Sequence, residues 1–136
     1  IGHSLGGMAL FNALQRNAAY QKLIIIGSPA SIVNVVTDFC DKVKANRKVR
    51  DGIIKRIEEQ FKLEVREAST DYLAAQHNPE GLIIHDEDDQ DVSVNDAWQN
   101  AQAWPRAELH ITQGLGHRRV LMDNGVIDKI KDFLIK

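Results

Sequence analysis

The first residues of the chain, IGHSLGG, place a serine among three glycines. Gly2, Ser4 and Gly6 fit the pattern G-x-S-x-G, which is typical of a nucleophile elbow, a strained turn between a strand and a helix that exposes the serine hydroxyl. We expect side chains at Gly2 and Gly6 to clash where strand and helix meet, and Gly7 to let the helix pack closely. The simpler interpretation is that Ser4 is only the N-cap of a helix.

An acid and an imidazole follow at positions that would complete the chemistry of an activated serine. Asp89 follows the apolar run in GLIIHDEDDQDV, and His117 follows the run in AELHITQGLGHRR. Side chains that leave the carboxyl ends of parallel strands point into the crevice where open α/β sheets bind ligands. A histidine can take the proton of a serine, and a carboxylate can orient the imidazole.

The elements that must position these residues are short apolar strands separated by helices. Continuously apolar runs at Leu23–Ile26 and Leu82–Ile84 predict strands buried on both faces, and alternation at Glu108–Thr112 predicts a half-covered edge strand. Helical spacing follows Ser4, recurs in SVNDAWQNAQAW and returns near the C-terminus. The fold class predicted is α/β, a parallel sheet with right-handed crossovers.

Residues 31–76 interrupt this alternation with helical signals only. We predict a helical cap insertion over one end of the sheet. Its apolar positions include Val36 and Phe39, which either contact an acyl substrate or pack beneath the cap. A basic stretch in the same segment is better explained as a solvated helix face than as a site for an acidic substrate.

The composition narrows the classes of protein to which the chain could belong. The 136 residues carry 17 basic and 19 acidic side chains, a net charge of −2, which does not suggest a nucleic-acid partner. Cys40 is the only cysteine, which predicts a reduced, buried thiol and a cytoplasmic location. No apolar run approaches the ~20 residues of a membrane span. The oligomeric state is left open.

The acidic cluster DEDDQD raises the question of a metal site. An EF-hand loop counted from Asp86 would need glycine and glutamate where Asp91 and Ala97 stand. No pair of histidines has the H-E-x-x-H spacing. We therefore predict a solvated acid loop, no metal and no organic cofactor.

Three segments in order, GHSLGG, LIIHDEDDQDVSV and GLGHRRVL, resemble the α/β-hydrolase superfamily over nearly the whole chain. The resemblance implies a serine hydrolase that acts on a small-molecule ester or acyl substrate. Ser4 would be the nucleophile, His117 the general base, Asp89 the orienting acid and the Leu5 N–H an oxyanion donor. His3, beside the nucleophile, either shapes the substrate pocket or packs the turn.

The chain departs from the family pattern at two positions in the acid loop. Asp86 stands where the family usually has glycine, and Ser93 where it often has proline. Four acids, Asp86, Asp88, Asp89 and Asp91, crowd this loop, and Asp89 is favoured by its offset from His85 and Val92.

The resemblance also implies that residues 1–136 form the C-terminal part of a single α/β-hydrolase domain, with the last three strands and their helices. The strand that supports Ser4 and the loop that donates the second oxyanion N–H would then lie upstream. We expect the isolated chain to associate through the open edge of the LIIIG strand. The alternative to an enzyme is a non-catalytic binding module of the same fold, or an inactive fragment.

Overall fold

A computed structural model describes all residues from 1 to 136. It contains one parallel sheet in the order β1-β2-β3-β4, which confirms the predicted α/β class. The strands are β1 (Gly2–His3), β2 (Lys22–Ile26), β3 (Glu80–Asp86) and β4 (Ala107–Thr112). The three predicted strands are β2, β3 and β4. The structure adds β1, whose two residues pair with Ile25 and Ile26 and leave the rest of that edge of β2 unpaired.

Seven helices connect and flank the strands. They are α1 (Leu5–Gln15), α2 (Ile32–Lys42), α3 (Arg47–Phe61), α4 (Thr70–His77), α5 (Val94–Ala103), α6 (Gly116–Arg119) and α7 (Asn124–Ile135). Four of them begin at a residue whose side chain accepts a hydrogen bond from a backbone N–H of the first turn: Ser31, Asn46, Ser93 and Asp123. Ser93, which departs from the family pattern, therefore caps α5.

The continuous apolar runs of β2 and β3 serve two separate cores, one on each face of the sheet. Leu23, Ile25 and Ile83 pack with α1, α4 and α5, in a cluster that includes Phe11, Leu73 and Trp104. Ile24, Ile26, Leu82 and Ile84 pack on the other face with Val120, Val126 and Phe133. Because successive side chains of a strand point to opposite faces, both sets must be apolar when both faces are covered.

The predicted cap insertion, residues 31–76, forms α2, α3 and α4. Within it, Leu73 and Ala74 of α4 are fully buried in the main core beside α1 and α5. In contrast, α3 buries none of its residues and packs on α2. Of the predicted cap, α4 therefore belongs to the main layer, and the assignment of α2 and α3 to a cap stays a prediction.

None of the seven helices is long and apolar enough to span a membrane.

Candidate active site

Ser4 occupies the tight turn between β1 and α1. Its backbone has φ 54° and ψ −129°, a conformation that a residue with a side chain adopts only under strain. Its N–H donates to the carbonyl of Ile26 at 2.9 Å, which ties the turn to the end of β2. The hydroxyl makes no N-cap hydrogen bond, so the simpler interpretation of Ser4 does not describe its geometry.

The glycines around Ser4 differ in what they do. A Cβ on Gly2 would lie 2.6 Å from the backbone of Gly6 and Gly7, and one on Gly7 would collide with Ser28, as predicted. The prediction for Gly6 was wrong, because a Cβ there would meet no atom within 4 Å. The backbone of Gly6 packs against Gly2, but a side chain on Gly6 would have free space around it.

The ring of His117 and the carboxylate of Asp89 are joined by a hydrogen bond. The His117 Nδ1–Asp89 Oδ2 distance is 2.7 Å, and Asp89 is buried. The second oxygen of Asp89 accepts the N–H groups of Asp91 at 2.8 Å and Val92 at 2.9 Å. Of the four acids in the loop, Asp89 is the one in contact with the imidazole.

The electrostatics of Asp89 favour its ionised form. Burial acts to raise the pKa of its carboxyl, but hydrogen bonds from His85, Val92, His117 and Asp91 outweigh burial and hold that pKa well below its usual range. A permanently negative partner stabilises the protonated imidazole that forms when histidine takes up a proton.

Two residues that sequence reasoning did not assign to the site lie behind this pair. His85, fully buried, donates through Nε2 to the Val92 carbonyl at 3.0 Å and lies 3.4 Å from Asp89 Oδ2. Gly27 has φ +53°, and a Cβ there would lie 3.3 Å from both Asp89 Oδ2 and His117 Nδ1. The only signal in the sequence was the position of each residue at the end of an apolar run.

His3 contacts the histidine loop. Its Nε2 donates to the carbonyl of His117 at 2.8 Å, and the two rings lie 4.5 Å apart between centroids. His3 does not line the cavity described next. Of its two predicted roles, this geometry matches packing of the turn.

A cavity of about 230 Å³ opens beside Ser4. Leu5, Pro29 and Val92 form part of its wall, and Val35, Asp38, Phe39 and Lys42 of α2 form another part. Burial and the carboxylate of Asp96 raise the pKa of Asp38. Apolar walls with charged groups at one side suit a ligand that has an apolar portion.

The two candidate substrate contacts on α2 lie differently. Phe39 lines the cavity and is 56% exposed, whereas Val36 is 6% exposed and does not line it. Val35 takes the place predicted for Val36. Successive residues of a helix are rotated by about 100°, so Val36 faces the buried side of α2 while Val35 and Phe39 face the cavity.

The first backbone N–H groups of α1 lie next to Ser4. The N–H of Leu5, the residue after the serine, has no carbonyl one turn earlier in the helix to receive it. The helix dipole places partial positive charge at the same point. This N–H group is suited to stabilise negative charge on an oxygen bound at Ser4.

The structure brings Asp89 and His117 together and places Ser4 on the cavity wall. No hydrogen bond joins the Ser4 hydroxyl to the His117 ring in this structure. Catalytic hydrogen bonds are often long in ligand-free structures and tighten when substrate binds. Asp89, Asp91 and His117 also have potential metal-ligand atoms within 4.8 Å of one another, but two of the three residues are already hydrogen-bonded to each other.

No protein-family model matches the chain. Several solved structures are similar to it. The chain aligns with the meta-cleavage product hydrolase of Pseudomonas fluorescens at a TM-score of 0.63 and 16% identity, over 98% of this chain and 62% of that one. The acylaminoacyl peptidase of Pyrococcus horikoshii matches at a TM-score of 0.64 and 16% identity, over 98% and 22%. An esterase domain from Rhodothermus marinus matches at a TM-score of 0.60 and 17% identity, over 98% and 55%.

These similarities establish the fold. The chain has part of an α/β-hydrolase fold. It spans about three fifths of the length of the three hydrolases first matched: 62%, 63% and 62% of their chains. At identities of 16% to 18% the likeness concerns the fold and not the activity.

Proposed function

We propose that this chain carries the catalytic triad of a serine hydrolase that cleaves a carboxylic ester or a related acyl bond. Ser4 is the nucleophile, His117 the general base and Asp89 the acid that orients the imidazole. The observation that supports the proposal most directly is the 2.7 Å hydrogen bond between His117 Nδ1 and Asp89 Oδ2, in a structure that holds Ser4 in a strained turn next to a cavity.

The reaction would proceed through an acyl-enzyme. His117 Nε2 takes the hydroxyl proton of Ser4 as its oxygen attacks the carbonyl carbon of the substrate. The tetrahedral intermediate collapses, the bond to the leaving group breaks, and the imidazolium gives its proton to that group. Water then attacks the acyl-serine with His117 again as base, which releases the carboxylic acid and restores Ser4.

Asp89 would keep the proton of His117 on Nδ1, so that Nε2 is free to accept the serine proton. Its carboxylate also stabilises the imidazolium through the same hydrogen bond. The depressed pKa of Asp89 supports this role, because the carboxylate stays charged throughout the cycle.

The Leu5 N–H would stabilise the oxyanion of the tetrahedral intermediate. Removal of one oxyanion donor typically lowers the rate by ~10²–10³-fold. The apolar wall of the cavity, including Phe39 and Val35, supports an acyl substrate of small-molecule size. The similarity to solved hydrolases and an esterase supports the broad class.

Labelling with a fluorophosphonate tests the proposal without knowledge of the substrate. We expect the probe to modify the Ser4 peptide of the full-length protein, identified by mass spectrometry, and Ser4→Ala to abolish labelling. His117→Ala and Asp89→Asn should each slow it by at least ~10³-fold, since members of a triad act as a unit.

The pH dependence of labelling gives an independent check. The rate should fall on acidification as the imidazole becomes protonated and can no longer accept the serine proton. A folded full-length protein that stays unlabelled would contradict the proposal and would favour a binding module of the same fold.

A further inference from the structure

The acid loop after β3 and the histidine loop after β4 are joined by a series of hydrogen bonds. Here the acid loop means residues 86–92 and the histidine loop means residues 112–117. Thr112, Leu115 and Gly116 bond to Asp86, Gly114 bonds to Asp88, and His117 bonds to Asp89. The loop that carries His117 is thus held by the loop that carries its partner acid.

Asp86 makes most of these contacts. Its Oδ2 accepts the Thr112 hydroxyl at 2.7 Å and the Leu115 N–H at 3.1 Å. Its Oδ1 accepts the Gly116 N–H at 2.7 Å and the Asp88 N–H at 3.1 Å. Four donors occupy the four lone-pair directions of one carboxylate, so no acceptor position is left over.

The surroundings of Asp86 make this arrangement rigid. Asp86 is 1% exposed and is both the first residue of the acid loop and the last residue of β3, so the sheet holds its backbone. Burial acts to raise the pKa of Asp86, but the hydrogen bonds outweigh it and lower that pKa below its usual range. The charged form, which can only accept, is the form that four donors require.

The contact with Gly116 leads directly to the catalytic ring. Gly116 precedes His117 and has φ +67°, a backbone conformation suited to glycine. The bond from Gly116 N to Asp86 Oδ1 holds the peptide between Leu115 and Gly116, one residue before His117. Asp86 does not bond to the imidazole and does not line the cavity at Ser4.

We propose that Asp86 is a positioning residue, whose buried carboxylate fixes residues 112–116 so that His117 keeps its Nδ1 on Asp89. This inference rests on the proposed function for its catalytic consequence. The position is one where the family pattern usually has glycine, and glycine has no side chain to make these contacts.

The variant Asp86→Asn tests this role. An amide keeps the size of the side chain but replaces one accepting oxygen by an NH₂ donor, which cannot receive the N–H and O–H groups that now point at it. We expect the fluorophosphonate labelling rate to fall by ~10–100-fold. With p-nitrophenyl acetate as substrate, kcat should fall while KM changes little, because the residue does not line the cavity.

The pH profile separates positioning from loss of stability. In Asp86→Asn the pH at half-maximal labelling should shift downward, because an imidazolium held less well against Asp89 is less stable. The matched control is Asp123→Ala, which removes the N-cap bond to Val126 N of α7, at 3.0 Å, and should lower the melting temperature without a shift in the profile.

A second pair of variants applies if Asp86→Asn does not fold. Thr112→Val keeps the volume of the side chain and removes one of the four bonds, so it should slow labelling in the same direction by a smaller factor. Thr112→Ser restores the hydroxyl and should restore the rate. Normal labelling by Thr112→Val would overturn the proposal.

A proton NMR measurement does not depend on catalysis. The Nδ1 proton of His117, shared with a buried carboxylate, should give a low-field resonance in the wild type and in Asp123→Ala that Asp86→Asn shifts or loses. An unchanged resonance in folded Asp86→Asn, or no such resonance in the wild type, would overturn the positioning role. If Ser4 is never labelled but the resonance responds as expected, the proposed function fails and the positioning role stands.

Discussion

Gly27 follows the end of β2 and lies directly behind the hydrogen bond between His117 and Asp89. Its N–H donates to the Ile84 carbonyl at 2.9 Å, so its backbone is fixed by β3. Its φ of +53° belongs to the region that favours glycine, and the space on its Cβ side is already occupied by the two polar groups. The residue therefore limits how far this pair can move toward the sheet.

Gly27→Ala should impair both stability and the proposed chemistry. The positive φ costs about 1–2 kcal/mol for a residue with a Cβ. The new methyl would also press on His117 Nδ1 and Asp89 Oδ2, so we expect labelling of Ser4 to slow by at least ~10-fold, given that small displacements of catalytic groups have large effects on rate.

Gly114→Ala is the comparison for this variant. Gly114 has φ +79°, but a Cβ there would meet no atom within 4 Å. Thermal denaturation should show a similar loss of stability for both variants, and labelling should be slowed more at Gly27 than at Gly114. Equal rates would contradict the importance of the contact with His117.

At the level of residues, the candidate site was predictable where it depended on position along the chain. Ser4, Asp89 and His117 each follow a strand, and parallel strands bring their carboxyl ends to one edge. The roles of Gly27 and Asp86 were not predictable, because each depends on which atoms lie across a gap between two loops. Sequence spacing carries no information on those distances.

At the level of elements, helix α2 shows the same limit. The apolar period predicted the helix and grouped Val36 with Phe39, but Val36 is buried and Phe39 is exposed. The cavity is lined by Val35, Asp38, Phe39 and Lys42, on the side of the helix next to Val36. The period of a helix identifies which residues share a face, but not which neighbour each face meets.

Alanine substitutions at Val36 and Phe39 should affect different properties, stability at Val36 and substrate preference at Phe39. Val36→Ala removes buried methyl groups and should lower the free energy of unfolding by roughly 1–3 kcal/mol, with little effect on substrate preference. Phe39→Ala should leave stability nearly unchanged, because the ring is 56% exposed. It should lower kcat/KM for longer acyl esters by on the order of tenfold, through lost apolar contact.

Urea denaturation and a series of p-nitrophenyl esters of increasing acyl length measure the two effects. A loss of stability in Phe39→Ala, or a change of chain-length preference in Val36→Ala, would show that the assignment of the two side chains is reversed.

At the level of the whole molecule, carboxyl groups with shifted pKa values predict how stability depends on pH. The pKa values of Asp86, Asp89 and Glu108 are lowered in the folded state, so the unfolded chain binds these protons more readily. The raised pKa of Asp38 acts in the opposite direction. Because the pKa of Asp89 is lowered most strongly, unfolding should be favoured as the pH falls below the ordinary carboxyl range, near ~4.

Urea denaturation at a series of pH values measures this dependence. The free energy of unfolding should fall as the pH decreases below ~4, with each buried carboxylate contributing at most ~1.4 kcal/mol per pH unit. The slope should be smaller in Asp86→Asn. Added salt should reduce the contribution of the exposed pairs of Glu108 with Lys129 and Lys136, but not that of the buried acids. A flat profile down to pH 2 would contradict the prediction.

The parallel sheet also has a consequence for the order in which the molecule folds. No two strands are joined by a hairpin, so every pairing must close a longer connection. The strands β3 and β4 are joined by residues 87–106 and pair over most of their length, whereas β2 and β3 are separated by residues 27–79. Short connections with long ladders form soonest, because closure entropy grows with the length of the loop.

The unit β3-α5-β4 should therefore assemble early, and it carries Asp86 and Asp89 and leads into His117. The turn at Ser4 is tied by a hydrogen bond to Ile26 of β2, so it should be placed only after β2 has joined this unit. A partly folded chain would then hold the proposed acid and base without the proposed nucleophile in reach. On the proposed function, the serine would become reactive only after β2 has paired with β3.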